Sequence, residues 1–294
     1  MPSPYLSPYI GGMTALSGFT IVRNAVRYGY PVVESLRSLL PLVEELVVVV
    51  GKSEDETMDV VRSVDDPRLV IVETEWDDSL RTGGRVLAQQ TNLALARCRH
   101  PWAFYLQADE VVHEDDHPAI HASLERWASD ARIDALSFRF IHFEGTYAYV
   151  NPLRYRRQCR LVRNNGTVES VGDAAGFGRI DGLKLRTRRT DARIFHYGWA
   201  RAPAVMRTKM LAFMRLYLDD ATVESRWGNV PGEYLSDVDM AFRFRGTHPA
   251  VMAELIGGAD WEVPEDRRPP LGTPFLNPRF YAEWLRKWRI LKRP

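Results

Sequence analysis

The run Trp102-Ala-Phe-Tyr-Leu-Gln107-Ala-Asp109-Glu110 sets an amide and two carboxylates directly after an apolar stretch. Ligands of open α/β sheets bind beyond the carboxyl ends of the strands, and a carboxylate there can hold Mg²⁺ or Mn²⁺ against a diphosphate. Residues two apart on a strand share a face, so an extended chain through this run projects Gln107 and Asp109 the same way. Asp109 then offers a hard anionic oxygen, and Gln107 a neutral amide for a ribose hydroxyl. The plainer alternative is a solvated strand end leading into the acidic loop 109–116.

Two further segments carry suitable groups. Val50-Gly51-Lys-Ser53-Glu-Asp55-Glu56-Thr57 reads as a strand passing through glycine into a capped helix, whose first amides can receive an anion or the edge of a base. Ser53 and Glu56 fit a capping box, and taken alone, capping is the plainer reading of Ser53. In Asp77-Asp78-Ser-Leu-Arg81-Thr-Gly83-Gly84-Arg85 the carboxylates suit a uracil or ribose and the arginines a diphosphate; a charged surface loop is the alternative.

The elements that must position these groups alternate. Residues 18–22, 46–50, 69–72 and 103–106 read as strands, and segments starting near Pro31, at 53 and at 85 read as helices. Such alternation predicts a parallel sheet covered on both faces. The second half is less regular: a helix over 117–131, strands over 135–143 and 157–162, a helix over 203–218 with Val205, Met206, Met210, Phe213, Met214 and Tyr217 on its apolar side, and a final aromatic helix after a Pro/Gly-rich stretch.

The 294 residues hold 45% hydrophobic and 26% charged residues, with 39 basic against 38 acidic, so net charge gives no case for a nucleic-acid partner. The longest purely aliphatic stretch, 46–50, is far too short to span a bilayer, and the N-terminus has no signal-like pattern, which makes the cytoplasm the expected location. Cys98 and Cys159 have neither metal nor disulfide spacing.

Over about residues 18–200 the order of these segments resembles family 2 glycosyltransferases of the GT-A fold. Thr20-Ile-Val-Arg23-Asn24, Gly51-Lys-Ser53-Glu-Asp55-Glu-Thr57 and Gln107-Ala-Asp109-Glu110 take the places of that family's first nucleotide strand, Asp-Gly-Ser-x-Asp-x-Thr-like turn and Asp-x-Asp. The resemblance implies a nucleotide-binding α/β/α sandwich with a mixed, mostly parallel sheet and an elaborated C-terminal region. It implies an N-terminal extension 1–17, a catalytic domain 18–200 with a nucleotide-sugar half to about 116, and a helical region 201–294. The donor would be a nucleotide diphospho-sugar, UDP before GDP or dTDP, held by Thr20, Arg23, Asn24, Ser53, Asp55, Asp77, Asp78, Arg81, Gly84, Gln107 and Ala108. Asp109 and a late histidine, His196, would hold a divalent cation, Mn²⁺ or Mg²⁺.

Two departures bear on this. Val50-Gly51 lacks the acidic residue that many members direct at the base, shifting that contact to Asp77 or Asp78, and Gln107 replaces the first Asp of Asp-x-Asp, removing a negative charge. Members invert, so one carboxylate must deprotonate the acceptor hydroxyl; Asp173, in Val171-Gly-Asp173-Ala-Ala-Gly176, is the candidate, with Glu169 in reserve and a turn cap as the alternative. A structural role is the plainer reading of His196. Arg156, Arg157, Arg160 and Arg163 are expected beside the leaving group or acceptor. The acceptor is a saccharide or lipid-linked, and the aromatic, basic segment 280–293 suits either docking or peripheral contact with an anionic membrane. The rival functions are a non-catalytic nucleotide-sugar binder and a sugar nucleotidyltransferase, the latter lacking its phosphate loop here.

Overall fold

The structure, a computed structural model, describes residues 9–10, 13–80, 82–228, 237–265, 268–269 and 273–287. Strands β1 (Leu16–Val22), β2 (Glu45–Gly51), β3 (Leu69–Thr74) and β4 (Trp102–Tyr105) run parallel and are linked by α1 (Val32–Leu39), α2 (Thr57–Arg62) and α3 (Arg85–Leu95). Then follow β5 (Glu110–Val112), α4 (His117–Ala128), β6 (Ala135–Val150), β7 (Arg157–Arg163), the hairpin β8 (Val168–Val171) and β9 (Gly176–Arg179), and β10 (Thr187–Ala200). Beyond them lie α5 (Pro203–Met214), β11 (Phe242–Arg243) and α6 (Pro278–Lys287).

Nine strands form one mixed sheet in the order β3-β2-β1-β4-β7-β6-β10-β5, with β11 on β6. β7, β5 and β11 run against the other six, so the α/β class and mostly parallel sheet agree with expectation. On β2, Leu46, Val48 and Val50 pack with Leu36 and Leu39 of α1, while Val47 and Val49 pack on the other face with Ala94 and Leu95 of α3. That is why an aliphatic run without alternation makes a strand here: both of its faces are roofed by helices. Each such side chain contributes roughly 1.5–3 kcal/mol relative to exposure.

The segment between β4 and β5 dictates the sheet's shape. Three strands separate the two in the sheet order, a lateral distance of roughly 19 Å in a flat sheet. Five residue steps reach at most roughly 18 Å, and a turn closed by Glu110 N donating to Gln107 O at 2.9 Å shortens them further. The sheet therefore curls, which lets Glu110 of β5 meet Arg160 of β7.

Several local expectations need correction. The strand ends at Tyr105, so Gln107 and Asp109 lie in a turn and strand parity does not orient them. Ser53 and Glu56 form no capping box; α2 begins at Thr57, whose N–H donates to Asp55 Oδ1 at 3.1 Å, because Ser53 is engaged by the neighbouring loop. α5 stops at Met214, and of its expected apolar side only Met206 is fully buried. Trp288 and the residues after it lie outside the described residues. Among the described residues no helix is long and apolar enough to cross a membrane.

Asp134, buried at the start of β6, accepts hydrogen bonds from Arg186 N and Nε, both at 2.8 Å, and from Arg179 Nη1 at 3.1 Å. Arg186 first of all, against the opposing effect of burial, holds its carboxyl down to about 2 from 3.8. The folded chain thus binds this proton less tightly than the unfolded chain, so the stabilisation is whole above about pH 4 and is lost as pH falls towards about 2. Denaturation midpoints measured from about pH 5 to about pH 2 should fall less steeply in Asp134→Asn than in the parent.

Candidate active site

A cleft of about 870 Å³ opens at the carboxyl ends of β1 and β4 and is roofed by α5. Its floor is set by two loops that brace each other. Asn24, following β1, sits at φ 54, a left-handed conformation that asparagine tolerates better than most residues. Its N–H donates to Ser53 Oγ at 3.0 Å, and its Oδ1 accepts from Glu54 N at 2.8 Å. Asp55 Oδ2 accepts from Arg27 N at 2.8 Å, and Thr57 Oγ1 from Ala25 N at 2.6 Å. Arg23, Asn24, Arg27 and Glu54 face the cleft, whereas Ser53 and Asp55 lie behind it as braces. Thr20 is also withdrawn, buried within β1.

Trp76 explains the missing acidic residue at the end of β2. A Cβ on Gly51 would stand 2.3 Å from Trp76 Nε1, so no side chain fits where the indole lies. Trp76 lines the cleft with the Arg23 guanidinium 5.4 Å from its ring centroid, and its buried Nε1 has no hydrogen-bond partner among the described residues. Asp77 is turned out to solvent and accepts from Ser79 N instead, at 2.9 Å. Arg81 and the side chain of Asp78 lie outside the described residues.

At the cleft's base Asp109 and His196 come together. Asp109 is buried; its Oδ2 accepts from Lys209 Nζ at 3.0 Å, and Arg201 Nη2 lies 3.7 Å away. Burial opposes its ionisation, but the Lys209 ammonium and the Arg201 guanidinium outweigh that and hold the carboxyl below the usual carboxylate range. His196 Nε2 is 3.7 Å from Asp109 Oδ1. On β6, His142 registers with His196 of β10; their Nδ1 atoms are 2.9 Å apart, and His142 Nε2 is 2.7 Å from the Tyr155 carbonyl. That carbonyl can only accept, so His142 carries its proton on Nε2 and receives one from His196 Nδ1. Burial foremost keeps His196 neutral, its pKa well below the usual value. Its Nε2 therefore presents a bare lone pair beside a carboxylate.

That pairing fits a divalent cation. A lone pair and a carboxylate oxygen 3.7 Å apart with no proton between them can share a positive charge, and Mg²⁺-like ions are commonly held by one or two protein carboxylates plus substrate phosphates. The tautomer-fixing contact from His142 is the kind of outer support that metal-binding imidazoles receive. No group of three or more His, Cys, Asp or Glu side chains suited to a metal occurs among the described residues.

Asp173 lies across the cleft in the turn between β8 and β9. Its Oδ1 accepts from Ala175 N at 3.2 Å and its Oδ2 from the Tyr217 hydroxyl at 2.6 Å. Gln107 Nε2 donates to Ala174 O at 3.3 Å and Arg160 Nη1 to Ala175 O at 3.0 Å, tying this turn to the sheet. Gly84, at φ 70, approaches so closely that a Cβ would lie 2.7 Å from Asp173 Cβ, and its N–H donates to Leu216 O at 2.9 Å. Glu169 projects from β8 into solvent, away from the cleft.

The remaining expectations divide. Gln107, Ala108, Asp109, Asp173 and His196 share the cleft. The arginines of β7 do not: Arg160 is fully buried against Glu110, Arg163 donates to the carbonyls of Ala128, Asp130 and Ile133, and Arg157 to those of Ser137 and Thr190. Arg156 borders a separate cavity of about 550 Å³ walled by aromatic residues of the C-terminal region. There Phe280 of α6 is buried against Phe242 and Phe275. In the sequence Lys209, His142 and Trp76 carry no functional signal beyond a lysine set in an apolar helical run, and Tyr217 only a place on the apolar side of a helix.

No protein-family model and no curated protein matches the chain. Among solved structures it is similar to S. aureus TarS 1–349 in complex with UDP, at 16% identity over 72% of this chain and 69% of that one, with a TM-score of 0.44. It is also similar to glucosyl-3-phosphoglycerate synthase from Mycobacterium tuberculosis in complex with Mn²⁺, UDP and phosphoglyceric acid, at 13% identity over 70% and 80%, with a TM-score of 0.38. Against the longer S. aureus TarS structure the chain spans 42% of that protein's length.

Proposed function

We propose that this protein transfers a sugar from a nucleotide diphospho-sugar to an acceptor hydroxyl, with inversion. The observation that carries this reading is the cleft at the carboxyl ends of parallel strands, with Asp109 and His196 at its base and Asp173 across from them. The nucleoside would lie near Trp76 and Asn24, and the diphosphate would extend towards Asp109. Asp173 would accept the acceptor's proton while the acceptor oxygen bonds the anomeric carbon and the bond from that carbon to the diphosphate breaks. Asp109 and His196 would hold a divalent cation, which when bound offsets charge on the leaving nucleoside diphosphate. Gln107, engaged with the Asp173 turn, has a task other than that of a lost metal ligand, which favours the enzyme over the non-catalytic binder. A saccharide or lipid-linked acceptor is compatible with the exposed Tyr281 and Trp284 beside the aromatic cavity.

Isothermal titration of UDP and of GDP, each with and without Mn²⁺, tests this. The parent should bind one of them more tightly with Mn²⁺, and Asp109→Ala should lose that gain; the absence of nucleotide binding by the parent sinks the proposal.

A further inference from the structure

Lys209 stands where a cation belongs. Its ammonium reaches down from α5 to donate to Asp109 Oδ2 at 3.0 Å and to Gly198 O at 2.7 Å. It lines the cleft in which the diphosphate would lie, and its side chain is 12% exposed. An ammonium has three N–H donors, so one remains beyond these two contacts. Arg201, the other cation near Asp109, is held by the carbonyls of Tyr28, Tyr197 and Gly198 and does not line the cleft. Arg154, which does, is engaged by buried Glu144 at 2.8 Å and stacks on Trp199. Of these three only Lys209 combines a flexible stem, a cleft-facing charge and a single carboxylate partner.

We infer that Lys209 is an exchangeable counter-ion: it neutralises Asp109 while the cleft is empty, and passes to the diphosphate when a divalent cation and the nucleotide enter. The inference rests on the proposed nucleotide-sugar reading and deepens it. Two positive charges cannot share one buried carboxylate without strong mutual repulsion, so metal and Lys209 compete for Asp109. A displaced lysine needs a new anion, and the diphosphate brings one into the same cleft. A four-carbon stem allows the move, whereas a guanidinium fixed by three carbonyls could not make it.

The consequence is a pair of opposite effects that a structural role does not produce. Lys209→Met keeps the apolar stem and removes the charge. In the full-length chain without nucleotide it should bind Mn²⁺ about tenfold or more tightly than the parent, read by the free-ion electron paramagnetic resonance signal. At saturating Mn²⁺ the same variant should bind UDP or GDP about ten- to a hundredfold more weakly, the loss of one charge-assisted contact. Lys209→Arg, which keeps the charge, should follow the parent in Mn²⁺ binding, and thermal melts of both variants report folding separately. Mn²⁺ affinity unchanged or weakened in Lys209→Met overturns the competition, and unchanged nucleotide affinity overturns the transfer. If the parent binds neither nucleotide with or without Mn²⁺, the nucleotide-sugar reading itself falls, and the Mn²⁺ comparison alone still decides whether Lys209 guards Asp109.

Discussion

Asp173→Asn is expected to lower sugar transfer by about 10²–10⁴-fold, the usual share of a general base, with the loss in kcat. Asparagine keeps an acceptor for Ala175 N, so the turn between β8 and β9 survives, and UDP affinity should stay within about threefold of the parent. The geometry makes the test selective. The Tyr217 hydroxyl donates to Asp173 Oδ2 at 2.6 Å, the contact an acceptor hydroxyl would need to make before losing its proton. On the proposed mechanism Tyr217 would occupy the acceptor's place, and Tyr217→Phe, which clears that oxygen, should leave kcat within about threefold or raise it. Turnover retained in Asp173→Asn would reduce Asp173 to a turn cap and remove the base from the proposed mechanism.

The parts of this molecule that could be read in the sequence are those dominated by local burial. The aliphatic run of β2, with Gly51 at its end, announces a doubly covered strand because nothing polar interrupts it, and Pro31 before an amphipathic run announces α1. Asp109 stood out because a carboxylate three positions after the apolar run Trp102-Ala-Phe-Tyr-Leu106 has no packing reason to be there. The features that pattern does not specify depend on curvature and long-range register. Gln107 and Asp109 share the cleft through a turn that the curled sheet imposes, and Glu169 lost its place because the β8–β9 hairpin sends alternate residues outward. Lys209 is 100 positions from its partner, and Trp76 excludes a side chain at Gly51 from another loop. Neither relation leaves a spacing to detect.

Glu110→Ala should be the most damaging single change to stability. Glu110 and Arg160 are both fully buried and joined by two hydrogen bonds of 2.7 Å. Glu110 Oε2 also accepts from Gln107 N at 3.2 Å, and Arg160 reaches the carbonyls of Cys159 and Ala175. Removing one partner strands a desolvated charge, which costs about 3–5 kcal/mol. The expected fall in Tm is roughly 6–15 °C. Combining Glu110→Ala with Arg160→Met should recover much of that loss, since an apolar replacement leaves no unpaired charge. A double variant no more stable than Glu110→Ala would show that the pair's hydrogen bonds to neighbouring turns, rather than its internal charge balance, hold this region together.

The segment 106–109 is pinned at both ends, by Leu106 N donating to Phe19 O at 3.2 Å and by Asp109 O accepting from Tyr197 N at 2.8 Å. It thus has almost no slack, and it differs from ordinary surface connections in the changes it can absorb. Other loops can gain or lose residues at little thermodynamic cost. Here a deletion would pull β5 off β10 or force the sheet to curl more tightly, and an insertion would let the carboxylate drift from the imidazole. Substitutions can reshape the chemistry of this cleft, but length changes cannot, so inherited variation in this stretch should take the form of altered side chains at a constant residue count.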